Sequence, residues 1–152
     1  MPPGRRLCVY SGGFLSPRLR RILTLSGWRV TTGLPRAGDA VAVWGRSPRA
    51  WRGESVAARA GVPILRIEDA FLRSLRPGRT GEPPLGLLID RRGVHFDSGV
   101  PSDLERLLAC APLDDPGRLS RARHATLRLQ RAHLTKYSAV DPRLAVPGPG
   151  YV

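Results

Sequence analysis

Glu68, Asp69, Arg73 and Ser74 place two carboxylates, a guanidinium and a hydroxyl within one short stretch. Carboxylates on consecutive residues point apart, so Glu68 and Asp69 do not form an acid/base dyad by themselves. One can accept sugar hydroxyls or a proton while the other pairs with Arg73. The same spacing also suits an Asp-capped short helix with a local ion pair, and spacing alone does not choose between the two. A second group, Trp44-Gly45-Arg46 before Ser47, sets an aromatic face beside a guanidinium that can pair bidentately with carboxylate or phosphate. Trp44 taken alone suits a core position better. A third, Ser11-Gly12 with Gly13, can present backbone N–H groups to an anion at a helix start. It lacks the full G-x-G-x-x-G spacing, so a plain tight turn fits it better.

Other chemistries find no support in the residue pattern. His95, His124 and His133 are not at metal-ligand spacing, and Cys8 and Cys110 form no metal or redox motif. No Walker loop, G-x-S-x-G elbow or HExxH sequence occurs. The expected metal content and cofactor content are none.

The elements that must position these groups follow from hydrophobic patterning. Leu7 to Tyr10 reads as a buried strand ending at Ser11-Gly12-Gly13. Ser16-Pro17 supplies an N-cap and first-turn proline, the Leu19, Ile22, Leu23 stripe a helix, and Gly27 its end. Trp28 to Val30 and Ala40 to Trp44 are further strands. Ser47-Pro48 predicts a second helix start, running to about Ala60 and stopped by Gly61, and Val62 to Ile67 is the next strand. These strands are continuous apolar runs alternating with helices, the pattern of a mostly parallel, Rossmann-like open sheet covered on both faces. Ligands bind such sheets at the carboxyl ends of the strands, where all three candidate groups fall.

Beyond Ile67, Glu68-Asp69 sit just past the strand end, and Arg76 to Pro84 is a Gly/Pro-rich loop. Leu85 to Ile89 and Val94 to Phe96 around Asp90-Arg91-Arg92-Gly93 predict a small hairpin. Pro101-Ser102-Asp103 caps a short helix through Leu108, and Asp114-Asp115-Pro116 opens a longer one to about Thr135. On that helix Leu119, Ala122, Thr126, Leu129 and His133 share one arc, opposite Arg121, Arg128 and Arg131. The arginine arc reads as a solvated face or as a contact to anionic lipid or sugar phosphate. Pro147-Gly148-Pro149-Gly150 then turns the chain into Tyr151-Val152, which reads as the opening of another strand.

The chain has 152 residues and a formal net charge of +13. The length suits one α/β domain. Of the 25 basic residues, Lys136 is the single lysine and the other 24 are arginines spread from Arg5 to Arg143. A nucleic-acid surface mixes lysine with arginine and clusters the charge, so scattered arginine in a Gly-, Pro- and Ala-rich chain points instead to GC-rich codon usage. No apolar run reaches the roughly 18 residues of a membrane helix, and Leu7 to Leu15 is too short and Gly-interrupted for a signal peptide. Two lone thiols fit a reducing cytoplasm, where the sequence places the protein.

Several strings taken together resemble the capsule polysaccharide biosynthesis and export proteins of the KpsC/LipB type. They are Val43-Trp44-Gly45-Arg46-Ser47-Pro48, Arg66-Ile67-Glu68-Asp69-Ala70-Phe71-Leu72-Arg73-Ser74, Leu85 to Asp90 with Arg91-Arg92-Gly93-Val94, Asp97, Pro101 to Glu105, and Leu134-Thr135-Lys136-Tyr137. The resemblance runs in order over nearly the whole chain. Two positions depart from the family pattern: Ala70 stands where glycine is usual, and Ser138 where asparagine is usual.

The resemblance implies a β-Kdo glycosyltransferase of GT-B type, moving Kdo from CMP-Kdo onto a lipid-linked acceptor, with possible contact of the chain to the inner membrane. It further implies that residues 1–152 are the acceptor-side, N-terminal part of a longer enzyme. The strand opening at Tyr151-Val152 would lead to a D-Q-type motif with the catalytic Asp, and the chain alone would then be inactive. In that reading Ser11, Gly12, Trp44, Gly45, Arg46, Glu68, Asp69, Arg73 and Ser74 face the acceptor and incoming Kdo, with Arg46 and Arg73 on carboxylate or phosphate and Glu68 or Asp69 orienting hydroxyls. Two other classes remain open from the residues themselves: a non-catalytic α/β binding or scaffold module, and a basic nucleic-acid-binding protein.

Overall fold

A computed structural model describes residues 5–139 and Arg143. The Pro147 to Val152 segment, with its expected turn and strand opening, lies outside the described residues. Five strands, β1 (Arg5–Val9), β2 (Trp28–Thr31), β3 (Ala40–Trp44), β4 (Ile64–Asp69) and β5 (Leu87–Asp90), form one sheet in the order β2-β1-β3-β4-β5. The β1–β2, β1–β3 and β3–β4 pairs are parallel, and β4–β5 is antiparallel. This is a Rossmann-like, mostly parallel sheet, and the strand order reverses direction between β1 and β3.

Alternation along the strands explains why both faces are covered. Leu7 and Val9 of β1, Ala40 and Ala42 of β3, and Leu65 and Ile67 of β4 share one face with Leu19 and Leu23 of α1 (Pro17–Leu25). Cys8, Val41 and Val43 point the other way, onto Ala50 and Ala57 of α2 (Ala50–Ala60). Each large aliphatic side chain buried here contributes about 2 kcal/mol through area removed from water. Small residues at Ala40, Ala42, Ala50 and Ala57 let the layers approach closely.

The helix ends follow their local chemistry in most places. Ser16 Oγ accepts from the Leu19 N–H, and Pro17 occupies the first turn of α1. Gly61, at φ 63°, caps α2. Ser102 and Glu105 form a reciprocal capping box on α3 (Asp103–Cys110), and Asp115 caps α4 (Pro116–Arg131).

Four expectations are corrected. Ser47-Pro48 does not start α2: the Ser47 N–H donates to Trp44 O and the Ala50 N–H to Ser47 O, so these residues form successive turns and Arg49 is the N-cap. Glu68 and Asp69 are the last two residues of β4, because the ladder to Leu88 and Leu87 carries the strand past the apolar run. Val94 to Phe96 is not a strand, so the small hairpin does not form. Asp90 Oδ1 accepts from the Arg92 and Gly93 N–H groups and Oδ2 from the Asp103 N–H, which turns the chain toward α3. Finally, α4 ends at Arg131 and not near Thr135, so His133, at φ 51°, lies beyond the helix and off its arc.

Candidate functional site

The reversal of strand order between β1 and β3 opens a crevice at their carboxyl ends. The first turn after β1 (Ser11 to Leu15), the N-terminal residues of α1, and the turn between β3 and α2 supply three of its walls. The fourth is the Gly/Pro-rich segment around Gly78, Gly81, Pro83 and Pro84. Together they enclose an open cleft of about 780 Å³. Trp44 forms part of its floor, packed on Phe14 at 5.8 Å between ring centroids. Ser11, Ser16 and Ser47 contribute hydroxyls, and the charged residues in the lining are two arginines, Arg49 and Arg73, with no carboxylate.

Arg73 reaches the cleft through a built support. Its Nε donates to Asp69 Oδ2 at 2.7 Å, and Nη1 donates to Ser74 Oγ at 2.7 Å and to the Glu82 carbonyl at 2.8 Å. The side chain is only 8% exposed. Ser74 Oγ donates onward to the Arg76 carbonyl. The backbone is pinned as well: the Arg73 and Ser74 N–H groups both donate to Lys136 O, and the Leu85 N–H donates to Arg73 O. Nη2 lies against Gly78, where a Cβ would overlap it, and among the described residues no acceptor faces it. Arg73 thus lines the cleft as a buried guanidinium ion-paired with Asp69, and its planar fork suits an anionic ligand group.

The nine residues expected at the site therefore divide. Ser11, Trp44 and Arg73 line the cleft, and Gly12 sits exposed in the turn that forms its rim. Asp69 and Ser74 stand behind Arg73 as its supports. This matches the local ion pair considered from the sequence, but on a strand end and not a helix cap. Asp69 Oδ1 is buried without a hydrogen-bond partner among the described residues.

Gly45, Arg46 and Glu68 lie on the far side of the β3 terminus. Arg46 is ion-paired with Asp97, and the Gly99 N–H and Arg46 together hold that carboxyl below the usual range. Gly45, at φ 39°, donates its N–H to Ile67 O, accepts from Arg66 Nη1, and leaves the space that Glu68 Oε1 occupies. Burial pushes the Glu68 carboxyl above its ordinary range. The Asp69 backbone N–H opposes the shift, the Asp69 charge adds to it, and His95 and Lys136 oppose it. Sequence reasoning missed Arg49, Ser16, Pro83 and Pro84, which enter the site through the turns and through contacts distant in the chain.

The fold and site define a Rossmann-like domain with a cationic, aromatic-floored cleft at its switch point. Residues 39–152 match the capsule polysaccharide biosynthesis protein family, and the chain belongs to that family. It is 34% identical over 103 residues to the capsule polysaccharide modification protein LipA of Neisseria meningitidis serogroup A, covering 68% of this chain and 15% of that protein. The lipopolysaccharide-processing protein LpsZ of Rhizobium meliloti is 34% identical over 86 residues, covering 56% of this chain and 20% of the relative. Among solved structures, the β-Kdo 2,4 transferase of Thermosulfurimonas dismutans KpsC superposes with a TM-score of 0.81 at 29% identity, covering 98% of this chain and 46% of that one. The β-Kdo 2,7 transferase of the same KpsC shares the fold, with a TM-score of 0.56 at 24% identity. The chain thus spans less than half the length of each of these relatives. Among the described residues no helix is long and apolar enough to cross a membrane.

Proposed function

We propose that the chain is the acceptor-binding half of a GT-B-type glycosyltransferase in capsule biosynthesis, which moves Kdo from CMP-Kdo onto an acidic, lipid-linked sugar. The observation that carries this reading is the charge of the cleft: its lining holds two guanidiniums, three serine hydroxyls and an aromatic floor, and no carboxylate. A guanidinium pairs more strongly with a carboxylate than with a neutral hydroxyl, so Arg49 and Arg73 favour an acidic sugar over a neutral one. Trp44 offers a ring to the apolar face of the sugar, and the serines bond to its hydroxyls. Asp69 holds Arg73 in place, and Glu68 lies outside the cleft lining. The likeness to a β-Kdo 2,4 transferase over 98% of this chain supports the choice of Kdo as the acidic sugar. The lipid part of the acceptor would bring the protein to the inner membrane as a peripheral component.

Isothermal titration of the chain with a Kdo-terminated glycolipid headgroup tests this reading. Saturable binding is expected, together with at least tenfold weaker binding when a neutral hexose replaces the Kdo, equivalent to about 1.4 kcal/mol. Equal affinity for the two headgroups contradicts it.

A further inference from the structure

Helix α4 carries five arginines, Arg118, Arg121, Arg123, Arg128 and Arg131, and no acidic side chain. In the sheet and its loops, Arg6, Arg46, Arg66, Arg73 and Arg92 are each ion-paired with a carboxylate. Among the described residues, none of the five on α4 is ion-paired. All five are exposed. Arg118 with Arg121 and Arg128 with Arg131 are like-charge pairs at i, i+3, which weaken a helix standing alone. Such a stripe becomes favourable only when an extended negative surface meets it.

The same helix carries apolar groups on its other flank. Leu119 is 39% exposed and Leu127 46%, while Arg121, Arg128 and Arg131 lie across the helix from Leu119. Helix α4 also leads directly to the cleft. Just past Arg131, Lys136 O accepts from the Arg73 and Ser74 N–H groups, and the Ser138 and Ala139 N–H groups donate to Ser74 O and Leu75 O. The segment after α4 is thereby stitched to the residues that carry the buried guanidinium of the cleft.

We propose that α4 is a docking helix for the surface of an anionic phospholipid bilayer. Its guanidiniums engage headgroup phosphates, and Leu119 and Leu127 rest at the boundary between headgroups and acyl chains. A bilayer supplies both the negative potential and an apolar layer, whereas a duplex backbone offers phosphates but nothing for the leucines. The inference rests on the lipid-linked acceptor reading for its purpose, which is to hold the cleft at the surface where such an acceptor resides. The binding itself needs no sugar.

The test is co-sedimentation of the full chain with sugar-free vesicles, one set of pure phosphatidylcholine and one also containing phosphatidylglycerol. Partition onto the phosphatidylglycerol vesicles is expected to be stronger by about tenfold or more, and to fall as salt is raised. The double variant Arg121→Gln/Arg128→Gln should lose about fivefold or more of that partition, and Arg121→Lys/Arg128→Lys, which keeps the charge, should stay within about twofold of the parent. Arg29→Gln/Arg59→Gln removes the same charge from exposed positions on β2 and α2 and should also stay within about twofold. Circular dichroism verifies that each variant keeps the fold. Equal partition onto the two kinds of vesicle, or equal loss in the two glutamine variants, overturns the assignment. So does tighter α4-dependent binding to duplex DNA than to vesicles at the same salt, which makes the stripe a nucleic-acid face. Binding of a Kdo glycoside without vesicle binding sinks this inference and leaves the cleft reading standing, whereas vesicle binding without sugar binding supports it and sinks the cleft reading.

Discussion

The Glu68 carboxylate occupies the space that a side chain on residue 45 would fill: a Cβ built on Gly45 overlaps Glu68 Oε1 and comes within 2.7 Å of its Cδ. Gly45 is needed there twice over, since its φ of 39° is also disfavoured for residues with a Cβ. The Glu68 carboxyl is therefore aimed by a glycine on the neighbouring strand's exit, and the pairing of β3 with β4 sets the distance.

Gly45→Ala should destabilise the chain by about 1–3 kcal/mol from backbone strain alone, with an additional loss from displacing Glu68. Gly61→Ala is the control, because Gly61 has φ 63° with nothing within 4 Å of its Cβ position. Urea denaturation should show a larger loss at residue 45 than at residue 61, and adding Glu68→Ala should recover part of the difference in a double-mutant cycle.

Arg73→Ala should cost about 3 kcal/mol, because it leaves the Asp69 carboxylate, the Glu82 carbonyl and Ser74 Oγ without their shared donor. Arg73→Lys should recover only part, since one ammonium does not reproduce the fork. The loss should be local first: limited proteolysis should cut within residues 76–84 in Arg73→Ala well before the parent chain, as that loop is tied down through Glu82 and Arg76. Unchanged midpoint and unchanged cleavage would refute the supporting role.

The raised Glu68 pKa fixes a sign for the pH dependence. The folded state holds this proton more tightly than the unfolded state, so the stabilising contribution is full below the ordinary value of 4.5 and is lost as pH rises through the shifted value. Asp97 and Glu105 have lowered values and work in the opposite direction, their contributions being lost as pH falls. Comparison of Glu68→Gln with the parent isolates the one group: the melting temperature of Glu68→Gln relative to the parent should rise between pH 4 and pH 7. A difference that is flat or falls across that range would contradict the burial of this carboxyl.

The parallel sheet was legible in the sequence because β1 and β3 carry unbroken apolar runs at Leu7 to Val9 and Ala40 to Trp44, and β4 carries Ile64, Leu65 and Ile67 around Arg66. Ser16, Ser102 and Asp115 were legible as caps because each side chain accepts from a backbone N–H three residues on. The Ser47-Pro48 start was misread since the same residue types also make turns, and the Ser47 backbone takes that alternative. The expected hairpin failed for a tertiary reason: the Asp90 carboxylate gathers three N–H groups, one of them thirteen residues away at Asp103, and diverts the chain. At the site, Ser11, Trp44 and Arg73 were legible because they sit at or just past strand ends. Arg49 and the Pro83-Pro84 wall were not, because turn geometry and the Arg73–Glu82 contact place them there.

The most direct measurement is a map of backbone amide chemical-shift changes in the isotopically labelled chain on titration with the methyl glycoside of Kdo. The account predicts saturable changes concentrated at Ser11, Trp44, Arg49, Arg73 and Gly78, abolished in Arg73→Lys while the rest of the spectrum stays folded. Absence of saturable change, or changes confined to the arginines of α4, would contradict an acidic-sugar site at the switch point.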